Sequence, residues 1–158
     1  MYNHAKTGYK CPICLTIKGV ENDSTMIKQD DIFYRDDLIV GIINSKYVKN
    51  NPGHIILVPR EHYENIYDLP DEIGVRIFKM SRIFSIALKE IRKCDGITIR
   101  QNNEPASNQH AFHYHLHIFP RFEGDDFEKL SQNTNILEPS ERKKYAEDLI
   151  NWIENKSL

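Results

Sequence analysis

Residues 113 to 119 read His-Tyr-His-Leu-His-Ile-Phe, an unbroken alternation of histidine with aromatic or apolar side chains. Successive side chains on a β-strand point to opposite faces. The pattern therefore predicts a strand with Tyr114, Leu116 and Ile118 against a core and His113, His115 and His117 facing a pocket or solvent. Rings on one face repeat roughly every 7 Å at about 3.3 Å rise per residue. Three imidazoliums in such a row would repel one another, so at least one ring must be held neutral by a metal or a hydrogen bond. Any fold for this chain has to supply a sheet with a covered face and a second face open to chemistry.

The rest of the chain supplies the sheet. "DDIFYRDDLIVGIIN" predicts two strands around the polar turn Arg35-Asp36-Asp37. "SKYVKNNPG" reads as a loop, with strong turn chemistry at Asn51-Pro52-Gly53. "HIILVP" is a third strand, central because its apolar run is continuous, and ended by Pro59. A helix follows from about Pro70 to Cys94. Asp71 and Glu72 suit its positive end, and Ile73, Ile77, Met80, Phe84, Leu88 and Ile91 step along one face. Cys94 continues that face as a small buried hydrophobe. "ITIRQ" alternates as a fourth strand, the polar "NNEPASNQ" is a loop, and "AFHYHLHIF" is the fifth strand. Residues 121 to 135 read as loop. "PSERKKYAEDLINWIENK" closes the chain as a helix over about 139–156, with Tyr145, Leu149, Trp152 and Ile153 on one face. Short turns join most strands and one long helix interrupts them, which predicts an α+β fold on an antiparallel sheet within a single domain spanning residues 1–158.

Composition narrows the function classes. A formal net charge of -2 argues against nucleic acid as the principal ligand. No apolar run approaches a membrane span, and the first ten residues lack a signal-peptide core, so the expected compartment is the cytoplasm. Three cysteines without an export signal point to metal binding, redox chemistry or burial rather than a disulfide framework.

Four readings compete for the histidine strand. Incidental surface histidines sit badly with an otherwise apolar strand. A pure metal site fits the spacing but lacks a carboxylate in the segment. The others are a base-and-acid pair for hydrolysis and a histidine nucleophile flanked by orienting rings. Cys11-Pro12-Ile13-Cys14 also stays open on residue type alone. It can be a redox pair, although "HAKTGYK" is a poor preceding strand; a pair of idle thiols; or half of a tetrahedral zinc site needing two more ligands.

Taken together, "CPICLTI", "GHIILVPREHYENIYDLP" and "NNEPASNQHAFHYHLHIFPRF" resemble the histidine triad (HIT) family of nucleotide hydrolases and transferases, over roughly residues 8 to 125. The resemblance implies a HIT-like fold: about five antiparallel strands with one long helix packed on them and a C-terminal helix. It implies that His115 attacks the α-phosphate of a nucleoside 5'-phosphate derivative, a dinucleoside polyphosphate or a nucleoside phosphoramidate. A covalent nucleotidyl-histidine would form, and water would release the monophosphate. His117 would contact the phosphate and the leaving-group oxygen. Gln109 and Asn102 match positions that bind phosphate or ribose, and Asn44 one that holds the ribose hydroxyls. Main-chain amides of residues 109 to 111 could add donors. Asn108 stands where the family usually has glycine, and asparagine tolerates the left-handed backbone. His110 stands where serine is common; it either touches the substrate phosphate or faces solvent. His54 either supports the triad by a hydrogen bond or is a satisfied core histidine. His4 carries no signal.

In zinc-bearing relatives the two ligands that join the cysteines match His62 and His113. The resemblance thus implies a structural zinc on Cys11, Cys14, His62 and His113, with no open coordination position. It also implies a homodimer. Two alternatives to hydrolysis remain: a nucleotidyltransferase using the same histidine, and a non-catalytic, zinc-stabilised nucleotide-binding module.

Overall fold

The computed structural model describes residues 2–22 and 25–157. The elements in chain order are α1 (Pro12–Ile17), β1 (Ile32–Arg35), β2 (Ile39–Ile43), β3 (Lys46–Val48), β4 (Ile55–Pro59), α2 (Asp71–Arg92), β5 (Gly96–Gln101), β6 (Leu116–Arg121), α3 (Phe127–Leu130), β7 (Thr134–Ile136) and α4 (Pro139–Lys156). Strands order β1-β2-β4-β6-β5 in one antiparallel sheet, and β3 pairs with β7 in a second.

The turn between β1 and β2 follows from one side chain. The Asp36 carboxylate accepts from the Leu38 and Ile39 main-chain N–H groups, both at 2.8 Å, and is clamped by Arg76 Nε at 2.7 Å. Every residue of β2 and β4 is buried, as a continuous apolar run requires when a strand is covered on both faces. Ile39, Ile43, Ile55, Leu57 and Ile118 face α2 and α4 in one core. Val40, Ile42, Ile56 and Val58 face the N-terminal segment, with Cys11, Ile13 and Ile27, in another. Helix α2 starts behind Pro70 with Asp71 and Glu72 in its first turn. It stops at Lys93, which is left-handed at φ 52°, and Lys89 Nζ then caps the end by donating to the Cys94 carbonyl at 2.6 Å. Cys94 is buried, as its place on the apolar face predicts.

Helix α4 is anchored by a buried ion pair. Arg142, 1% exposed, donates from Nε to Asp31 at 2.9 Å and also to the Met26 and Leu137 carbonyls. Gly53 closes the turn before β4 at φ +74°, where a Cβ would lie 2.6 Å from the Arg92 guanidinium. No described helix is long and apolar enough to cross a membrane.

Two expectations need correction. The loops around residues 45–53 and 121–135 are not structureless: they contribute β3, α3 and β7. Strand β6 also begins at Leu116 rather than near Ala111. The reason lies in its neighbour: β4 pairs with β6 only over Ile55–Leu57. Beyond that point Tyr114 N–H donates to the Tyr63 carbonyl at 2.6 Å, and the Pro59 carbonyl is taken by a histidine ring instead of a strand amide. The first half of the histidine run is therefore irregular backbone.

Candidate functional site

That break separates His113 from the other two rings. His113 Nε2–H donates to the Pro59 carbonyl at 3.0 Å, which leaves Nδ1 as the lone-pair nitrogen. Nδ1 faces Cys11 Sγ and Cys14 Sγ, each at 3.4 Å, and Cys14 Sγ lies 3.4 Å from His62 Nδ1. The four donor atoms all fall within 4.8 Å of one another. A tetrahedral zinc with Zn–S of about 2.3 Å and Zn–N of about 2.0–2.1 Å sets neighbouring sulfur and nitrogen about 3.6 Å apart. The donor set and the three sulfur–nitrogen edges of 3.4 Å fit such an ion. Cys11 caps α1, accepting from the Cys14 N–H, so the helix start brings the two thiols together. Burial and the neighbouring Cys14 push the Cys11 thiol up to about 12, a cost that a bound cation reverses. His62 arrives on the loop after β4, where buried Glu64 accepts from the Ala5 N–H and ties that loop to the N-terminal segment.

His115 and His117 instead line a cavity of about 390 Å³, within the range of small-molecule sites. His115 Nδ1 lies 2.6 Å from the His113 carbonyl. A carbonyl only accepts, so Nδ1 carries the proton and Nε2 carries the lone pair. Burial lowers the pKa of His115, with further lowering from His110 and Arg100, so the ring is neutral at pH 7. His117 Nδ1 lies 3.3 Å from His54 Nε2. The other nitrogen of His54, Nδ1, is buried without a partner. Orphaned buried N–H groups are rarer in proteins than under-satisfied acceptors, which favours the proton on His54 Nε2. His117 then accepts at Nδ1 and presents Nε2–H. Burial, helped by Arg100 and His115, depresses His54 to about 3, and burial with the neighbouring rings holds His117 well below its ordinary value. Desolvation thus keeps the row neutral, in addition to the metal or hydrogen bond that the spacing calls for.

The other expected residues divide. Asn44, Asn102, His110 and the left-handed Asn108 (φ 68°) line the cavity. His54 lines it as well, supporting His117 while stacking on Phe119 at 4.2 Å between ring centroids. Gln109 does not line it. The Gln109 side chain is 3% exposed and pinned inside its own loop, accepting from Glu104 N–H at 2.7 Å and donating to the Glu64 carbonyl at 2.5 Å. Its main-chain N–H is likewise used, by the Glu104 carbonyl at 3.2 Å. The N–H groups of His110 and Ala111, at the cavity edge, have no protein acceptor among the described residues. Arg100 also lines the cavity, and no sequence motif singled it out. Its signal was the alternation of β5, which sets Thr98 and Arg100 opposite Phe119 and His117 once the register is known. The apolar wall from Ile13, Ile27 and Ile56 was equally hidden.

Comparison with known proteins places this geometry. The HIT domain profile matches residues 26–124. An uncharacterized HIT-like protein of Saccharolobus solfataricus is 35% identical over 115 residues, 73% of this chain and 76% of the relative. An adenylylsulfatase of Arabidopsis thaliana is 28% identical over 115 residues, 73% of this chain and 54% of the longer relative. Among solved structures, a zinc-bound histidine triad family protein from Mycobacterium smegmatis aligns with a TM-score of 0.74 at 25% identity, covering 94% of this chain and 96% of that one. Sequence and fold agree over the segment that carries the histidines: the chain belongs to the HIT domain family.

Proposed function

We propose that the protein is a nucleotide hydrolase that cleaves at the α-phosphate of nucleoside 5'-phosphate derivatives through a nucleotidyl-histidine on His115. One observation carries this reading. The His113 carbonyl fixes the tautomer of His115, leaving the neutral, lone-pair Nε2 as the ring nitrogen without a partner among the described residues, in the cavity that the ring lines. Nε2 attacks phosphorus, the bond to the leaving group breaks, and water later hydrolyses the P–N bond. His117 Nε2–H and the main-chain N–H groups of His110 and Ala111 are donors for the oxygens that gain charge. Asn44 and Asn102 are ribose and phosphate contacts, and Ile13, Ile27 and Ile56 form an apolar bed for the base. The adenylylsulfatase relative supports hydrolysis of an adenylyl compound.

Cys11, Cys14, His62 and His113 would hold a structural zinc, a reading supported by the tetrahedral edges and by the zinc-bound neighbour. The ion would supply rigidity alone, since four protein donors leave no coordination position for substrate. A homodimer fits the surface: β5 is an edge strand with Ile99 49% exposed, and α2 exposes Val75 and Phe78.

The test is monophosphate release from adenylated and guanylated substrates, combined with alkaline-quench trapping of a phosphoramidate, whose P–N bond is labile in acid. Trapping on His115, and its loss in His115→Ala, supports the reading. Unchanged turnover in that variant defeats it. Running the assay with added alcohol or phosphate acceptors separates hydrolysis from transfer.

A further inference from the structure

Arg100 is a cation with no carboxylate partner among the described residues. It lies on β5 directly opposite His117 on β6, and it lines the same cavity as His115 and His117. Its Nε is buried without a hydrogen-bond partner among the described residues. The guanidinium rests 5.2 Å from the centroid of the Phe119 ring, which steadies the planar group without consuming its donors. A half-buried guanidinium, its Nε shielded from solvent and its N–H groups unspent, beside an open cavity is a site for an oxyanion.

The strand order says which oxyanion. Along β2-β4-β6-β5, Asn44 follows the end of β2, Ile56 is on β4, His117 is on β6 and Arg100 is on β5. Adjacent strands are about 4.8 Å apart. A nucleoside bound over β2 and β4, with its α-phosphate at the histidines, points its leaving group towards β5. Lys46, the other Lys or Arg lining the cavity, is exposed and sits at the opposite, β3 end.

We propose that Arg100 is a specificity residue that receives an anionic leaving group, so that the favoured substrates are nucleoside 5'-phosphates joined through an anhydride to a second phosphate or a sulfate rather than to an uncharged amine. This rests on the hydrolase reading above and adds the substrate class. As the anhydride P–O bond breaks, charge collects on the departing oxyanion, and Arg100 holds that charge in place.

The test compares kcat/KM for three adenylyl compounds: a dinucleoside triphosphate, adenylyl sulfate, and a phosphoramidate of an uncharged amine. Wild type is set against Arg100→Leu and Arg100→Gln, the second variant keeping a shorter, uncharged polar chain. The expected result is that both variants lower the ratio of anhydride to amine-leaving substrate at least ten-fold. A loss on the dinucleoside triphosphate alone assigns the site to phosphate, and one on both anhydrides to oxyanions generally. Equal losses on all three compounds, or no loss, overturn the proposal. If wild type turns over none of them, the hydrolase reading fails by itself, and Arg100 is judged by direct binding of ADP against AMP. A preference for ADP of about ten-fold that disappears in both variants keeps Arg100 as the anion site; equal binding by wild type removes it.

Discussion

His113 and His115 are two residues apart, and the protein uses them in opposite ways. Both ring nitrogens of His113 are engaged, one by the Pro59 carbonyl and one by the thiol cluster. His115 has one nitrogen pinned and the other without a partner among the described residues, in a ring that lines a cavity. A closed donor set gives position, whereas a ring with one unspent lone pair gives reactivity. The two meet at the His113 carbonyl, where the residue that belongs to the thiol cluster sets the tautomer of the residue proposed to react. Similar side chains on a short run therefore acquire different work from their neighbours rather than from their identity.

The sharpest way to break this contrast is His115→Ala, which should cut monophosphate release roughly 1,000-fold or more while leaving the melting temperature within a few degrees. Comparable loss of stability would mean that His115 is structural too. Cys11→Ser should do the reverse. Metal analysis should show loss of stoichiometric zinc, and calorimetry a fall of about 10 °C, what a loss of about 3 kcal/mol does to a chain of this size. Turnover per folded molecule, assayed well below that transition, should drop less than ten-fold; a drop like that of His115→Ala would place the metal in the chemistry. His117→Ala should slow release about 100-fold, and most for substrates whose leaving group needs a proton. An equal effect across good and poor leaving groups would reassign the ring to phosphate binding alone.

The smallest effect concerns His54, buried against Phe119 and depressed to about 3. Its unfolded counterpart titrates near 6.5, so between about 3 and 6.5 the unfolded chain takes up a proton that the folded chain refuses. Stability from this group is present above about 6.5 and lost as the pH falls through that window, by up to about 1.4 kcal/mol per unit. Denaturant melts of His54→Gln should show a shallower acid slope than wild type. Identical slopes would show that His54 is protonated in the fold.

The parts of this architecture that depend on near neighbours were legible. The Asp36 turn, the apolar stripe of α2 and the double-sided burial of β4 each follow from residues within a few positions of one another. The gathering of Cys11, Cys14, His62 and His113 was legible only through resemblance, because nothing local draws residues a hundred positions apart together. Four features were hidden for physical reasons. The β3–β7 pair is three residues long on each side, too short for a period to register. The start of β6 is set by Tyr63 and Pro59, which compete for its backbone from another part of the chain. Gln109 matches a phosphate-binding position, yet its amide satisfies the Glu64 carbonyl, a buried acceptor that only tertiary structure reveals. Arg100 went unremarked because its meaning depends on the register with His117.

The hydrogen bond from His115 to position 113 ends on a main-chain oxygen, and every amino acid has one. The histidine side chain at 113 is thus interchangeable as far as the nucleophile is concerned. What must persist is a strut holding that peptide unit still, whether thiol and imidazole donors around an ion or a well-packed apolar contact. A redesigned chain without either cysteine could keep the same reactive ring, provided that some other brace fixes the peptide between residues 113 and 114.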